Sequence, residues 1–85
     1  NFHAYKKLSE PSKQIIDATR EAEKTSIPTL NNIANTYQEK TGKPVNKEKL
    51  LHELSAIEKT GTLKRVIANR NDEPTLAWKT QMTPE

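Results

Sequence analysis

The sequence predicts an α+β domain in which the helices come first and a small antiparallel β-hairpin comes last. Three observations carry this expectation. Apolar residues recur at helical spacing in three successive stretches, glycine and proline punctuate the joints between them, and the last third of the chain turns to short runs of branched, aromatic and threonine residues.

Residues 1–8, NFHAYKKL, have no clear period and are expected to be a partly ordered lead-in or linker. Ser9 is a candidate cap for a first helix running to about residue 23. Glu10 and Pro11 fall in its first turn, where a carboxylate and a missing N–H are both tolerated. Ile15, Ile16, Thr19 and Ala22 mark its narrow buried stripe. The connection 24–27 has room for a minimal edge strand, and Pro28 suits the opening of the next helix better than its middle.

A second helix over about 29–40 has the clearest period in the chain, with Leu30, Ile33, Ala34 and Tyr37 at i, i+3, i+4 and i+7. Thr41-Gly42-Lys43-Pro44 stops it. Asn46 can cap a third helix over 46–60, Leu50, Leu51, Leu54 and Ile57 face inward, and Gly61 sits where a left-handed residue would end it. Runs 62–68 and 75–80 then read as a hairpin. Its connection, Asn69-Arg70-Asn71-Asp72-Glu73-Pro74, looks too long for a two-residue turn. Trp78 is the only tryptophan and is expected to cover the core from the second strand, as Tyr37 should from the second helix. Residues 81–85 read as a disordered tail.

Composition limits the functions available. A chain of 85 residues is one small domain that buries only about two thirds of its unfolded surface. Without cysteine it has neither disulfides nor thiolate metal ligands, which is compatible with a reducing compartment. No apolar run is long enough to span a bilayer and no signal-peptide pattern opens the chain, so no membrane partner is expected. The expected setting is cytoplasmic, nucleoid-associated in a bacterium or nuclear in a eukaryote. Beginning at Asn1, the chain reads as a domain of a longer parent protein. The net charge of +3 divides evenly, +1 each for 1–25, 26–61 and 62–85, so no segment is polybasic and any binding of polyanions must rest on clustering in space.

Catalysis finds no support in the residues. His3 and His52 belong to no zinc spacing, no nucleophile has a nearby base, and the carboxylates interleave with lysines as helical surface pairs. Both glycines are accounted for as helix ends. No catalytic residue, metal ligand or cofactor is therefore assigned, and an enzyme is not expected.

With its leucines facing in, the third helix turns Glu48, Lys49, His52, Ser55, Ala56 and Lys59 outward. Lys49, His52, Ser55 and Lys59 can donate to phosphates or base edges, whereas Glu48 repels phosphate unless a cytosine amine donates to it. Asn46 and Lys47 stand at the helix start, where free N–H groups favour a phosphate. The same residues would also make an ordinary solvated face. In the hairpin, alternation places Leu63, Arg65 and Ile67 on one side and Lys64, Val66 and Ala68 on the other, with Arg70 at the tip and Lys79 on the second strand.

The order of elements, with the third helix passing through Gly61 into a basic hairpin, and the Leu54, Ile57, Gly61, Leu63 pattern resemble the winged helix-turn-helix family over residues 9–80. The resemblance implies a three-helix core closed by a small sheet, the third helix in the major groove and the wing on the backbone or minor groove. The connection 41–45 is a little longer than a tight helix-turn-helix turn. The ending Pro74-Thr75-Leu76-Ala77-Trp78-Lys79 faintly resembles the wing of the Z-form nucleic-acid binders, but Ser55 stands where those domains carry a tyrosine, so that subfamily is not adopted.

The expected function is a double-stranded DNA-binding module of a larger replication or transcription-regulating protein. Its contacts would come from Asn46, Lys47, Lys49, His52, Ser55, Lys59, Lys64, Arg65, Arg70 and Lys79, and it would act alone or as a homodimer. The alternative is a protein-interaction adaptor on the same fold, docking through the third helix or through Phe2 and Tyr5. RNA is a weaker partner, because the few aromatics form no stacking platform.

Overall fold

The computed structural model describes residues 2–81 and, within them, every side chain except those of residues 2–4 and 70. Helices α1 (Phe2–Lys7), α2 (Glu10–Thr25), α3 (Leu30–Thr41) and α4 (Lys47–Glu58) precede strands β1 (Leu63–Arg70) and β2 (Glu73–Thr80). This α+β order is compatible with a three-helix-plus-hairpin winged-helix layout, with α1 added in front.

The helix ends follow from local chemistry. The Thr29 hydroxyl accepts from the Asn32 N–H at 3.2 Å, and the Asn46 carboxamide oxygen accepts from the Lys49 N–H at 3.1 Å, so α3 and α4 each begin on a side-chain cap. Ser9 opens α2 without capping it; its hydroxyl donates to Ser12 instead. Gly42 closes α3 at φ 69°, and Gly61 turns the chain after α4 at φ 86°. A Cβ at Gly61 would meet no atom within 4 Å, so it is the backbone angle alone that favours glycine there.

The lead-in is more regular than its sequence suggests, for α1 is a helix of six residues. A helix this short is not stable by itself. It is held from outside: the Tyr5 hydroxyl donates to Asp17 on α2 at 3.1 Å, and Tyr5 and Leu8 rest against the core.

The hairpin departs from expectation at its turn. The strands pair directly from Leu63↔Thr80 to Arg70↔Glu73, leaving only Asn71 and Asp72 as the connection. Both adopt positive φ, 52° and 63°, the backbone of a two-residue turn whose twist matches that of the strands. Asn and Asp are the non-glycine residues that tolerate this region best. Pro74 is accommodated because the pair Asn69↔Pro74 lies between hydrogen-bonded pairs, so its missing N–H would have pointed away from β1. The same alternation turns other β2 donors to that outer side, where the Trp78 N–H reaches the Pro28 carbonyl at 3.1 Å. Thr29 forms an isolated bridge with Ala77 there, so the strand-like pairing falls at the cap of α3 and not within the 24–27 connection, where an edge strand was expected. Strand β2 is thus flanked on both sides, and β1 keeps a free edge among the described residues.

The core lies between α2, α3, α4 and the base of the hairpin. Ile16, Ile33, Leu54, Ile57 and Trp78 are fully buried, each contributing on the order of 1.5–3 kcal/mol by leaving water. The buried Thr19 hydroxyl is satisfied by the Ile15 carbonyl at 2.9 Å. Leu51, expected to face in, is 36% exposed. Leu50, Leu54 and Ile57 already fill the inward arc of α4, and Leu51 is turned toward a shallow groove beside Leu30 and Leu76.

Candidate nucleic-acid interface

Helix α4 packs by one side and leaves the opposite side open. Glu48, His52, Ala56 and Lys59 are exposed there, and Ser55 is half-buried at its border with the hairpin. Successive residues step by about 100°, which sends the predicted contacts in different directions. His52 and Lys59 point straight outward. Asn46 and Lys49 turn to a groove between α4 and the start of α2, lined also by Ser9, Pro11 and Tyr37. Lys47 is exposed on the flank nearer the hairpin.

The hairpin divides its basic residues between two faces. Arg65 pairs with Trp78 in the register and shares its side, toward α4. Lys64 pairs with Lys79, and both are exposed on the opposite side. Among the described residues, none of Lys47, Lys49, Lys59, Lys64 and Lys79 has a carboxylate within ion-pair distance. The Arg70 side chain lies outside the described residues, as does that of Phe2.

Arg65 is engaged within the chain. Its Nε donates to Glu58 Oε1 at 2.9 Å and one terminal nitrogen to Glu58 Oε2 at 3.2 Å, a bidentate pair. That nitrogen also donates to the Ser55 hydroxyl at 3.0 Å. Glu58 Oε1 accepts in addition from the Trp78 indole N–H at 3.0 Å, and the guanidinium lies over the Trp78 ring at 5.8 Å. Two of the predicted contacts, Ser55 and Arg65, therefore belong to one network around Glu58.

A second carboxylate holds the far end of β2. Glu23 on α2 accepts from the Thr80 N–H at 2.6 Å and from its hydroxyl at 3.1 Å. Sequence reasoning placed Glu23 and Glu58 among ordinary surface carboxylates. The signal for Glu58 was nonetheless in the alternation, since Arg65 shares a hairpin face with the buried Leu63 and with Trp78.

Burial pushes the Tyr5 hydroxyl above its ordinary pKa of 10.0, and the bond to Asp17 and its negative charge add to the shift. Tyr5 lies on α1 and is no part of the basic surface. Among the described residues no three His, Asp or Glu side chains gather to hold a metal ion, and no helix is long and apolar enough to cross a membrane. No protein-family model matches the chain, and no curated protein matches it.

Proposed function

We propose that this chain is a double-stranded DNA-binding module of winged-helix type within a larger regulatory or replication protein, acting where chromosomal DNA is held. Helix α4 sits in the major groove with His52 and Lys59 toward base edges and phosphates, and the hairpin lies along the backbone with Lys64 and Lys79 as its charge contacts. The observation that carries this reading is the open side of α4: a helix held on the core by Leu50, Leu54 and Ile57 whose opposite face is polar and uncovered, with His52 and Lys59 on it beside Glu48, and with Lys47 and Lys49 on its two flanks, none of these lysines having a carboxylate within ion-pair distance among the described residues. Winged-helix domains use a helix in this position for groove readout.

A specific observation favours a second reading, a protein-interaction adaptor. Ile67 is 66% exposed on the hairpin, directly across from Leu76, and Leu76 and Leu51 line one shallow groove. An apolar strip of this kind suits a protein partner better than a phosphate backbone.

A salt titration of binding to a mixed-sequence duplex, with a single-stranded control, separates the two. A preference for duplex with log K falling steeply as log salt rises supports the DNA module. No binding even at low salt removes it and leaves the adaptor.

A further inference from the structure

Glu58 stands where a carboxylate looks out of place. It ends the helix offered to a polyanion, next to Ser55 and Lys59, and by charge alone it opposes binding. Its geometry gives it another task. One carboxylate receives the Arg65 fork from β1 and the Trp78 indole N–H from β2, while Arg65 reaches back to Ser55 on α4. These contacts tie α4 to both strands of the hairpin on the side facing the open surface. Trp78 is fully buried, so the network is anchored in the core rather than floating at the periphery.

We infer that Glu58 is a positioning residue for nucleic-acid binding: it fixes the hairpin's angle to α4 through Arg65 and Trp78, and it withholds Arg65 from direct phosphate contact. This rests on the DNA-binding reading. Pro28, Thr29 and Glu23 hold β2 along its outer edge, whereas Glu58 holds the hairpin from α4, the helix offered to the duplex, and two surfaces bind one rigid duplex well only when their relative placement is set beforehand. The bidentate pair supplies direction as well as attraction, because a planar fork meets a carboxylate in a restricted geometry.

The inference reverses the sign expected from charge. Glu58→Gln removes a negative charge from the binding side and frees Arg65, so electrostatics alone predicts tighter binding. A positioning role predicts weaker binding, by about fivefold, the scale of one ordinary hydrogen bond's net contribution. Arg65→Gln should weaken binding by a similar factor. The double variant should be no worse than the poorer single one, because both substitutions break one unit.

The experiment compares duplex affinity of the wild type, both single variants and the double variant by fluorescence anisotropy. The emission of Trp78 and the residual dipolar couplings of the β1 and β2 amides relative to α4 are measured in the same proteins without DNA. Weakened Glu58→Gln, a non-additive double variant and reoriented hairpin couplings support the inference. Glu58→Gln binding as tightly as the wild type, or more tightly, overturns it, as does independent additivity of the two substitutions. Should Glu58→Gln fail to fold, Arg65→Lys carries the test: it keeps the charge and loses the fork, so about fivefold weaker binding supports positioning and unchanged affinity overturns it. A wild type that does not bind duplex removes the DNA reading itself, a result distinct from all of these.

Discussion

Lys64 and Lys79 face each other directly across the hairpin, on the side turned away from Trp78, and neither has a carboxylate partner among the described residues. Like charges directly opposite on paired strands oppose folding, so this pair lowers stability unless an anion lies against it. Lys79→Ala is expected to raise stability by about 0.2–1 kcal/mol while weakening duplex binding. Urea unfolding and binding curves on one preparation test both halves; a loss of stability together with unchanged affinity would count against a binding role for the pair.

Lysines on α4 should act through charge and leave the fold alone. Lys59→Ala is expected to weaken duplex binding across sequences and to reduce the slope of log K against log salt by about 1, with stability shifting by about 0.5 kcal/mol or less. Lys49→Ala should do less, because Lys49 turns toward the groove beside α2. Salt titrations of the two variants rank them.

The caps of α2 and α4 make a matched pair. The Asn46 side chain bonds the Lys49 N–H, and the Ser9 side chain bonds no backbone N–H of α2. Asn46→Ala should therefore cost about 1 kcal/mol, and Ser9→Ala clearly less. Thermal or urea midpoints of the two variants show whether the difference follows the hydrogen bond.

Asp72 holds φ at 63° in the hairpin turn. Asp72→Gly creates the Asn-Gly pair that this turn prefers and should stabilise by about 0.5 kcal/mol, less whatever the added freedom of glycine in the unfolded chain removes. A fall of more than about 1 kcal/mol on urea unfolding would mean that Asp72 does more than turn the chain.

Tyr5 supplies a prediction in pH. Its folded pKa is raised, so the folded state keeps the phenol proton at alkaline pH where the unfolded chain has already lost it. The resulting stability is complete below about pH 10 and is lost as pH rises through the folded value. Tyr5→Phe should remove the late component of the tyrosinate absorbance titration, and stability should then fall less between neutral and strongly alkaline pH.

The parts of the fold that could be read in advance are those written in short-range chemistry. The stripe Leu30, Ile33, Ala34, Tyr37, the Asn46 cap and the left-handed Gly61 each announce themselves within a few residues, and Trp78 on the core follows from its being the largest apolar group in a small domain. Elements made by distant partners were hidden. Helix α1 depends on Tyr5 meeting Asp17, and the two-residue turn needed Asn71 and Asp72 to adopt positive φ while Pro74 fell at a register position that needs no donor. The candidate surface divides likewise. The outward stripe of α4 follows from its period, but the capture of Arg65 by Glu58 joins residues on a helix and a strand, and spacing alone did not distinguish a free arginine from a tethered one.

The free edge of β1 carries a hazard for the concentrated or partly unfolded protein. Val66, Ile67 and Ala68 form an uncharged, strand-prone run along it, and Ile67 is open to solvent. Unpaired edges of this kind template sheet growth from chain to chain, and charged residues beside them act as gatekeepers. Because Arg65 is drawn in toward Glu58, Lys64 is left as the gatekeeper preceding the run. Its retention in an unfavourable pair with Lys79 then has a second rationale, as a guard against polymerisation into fibrils.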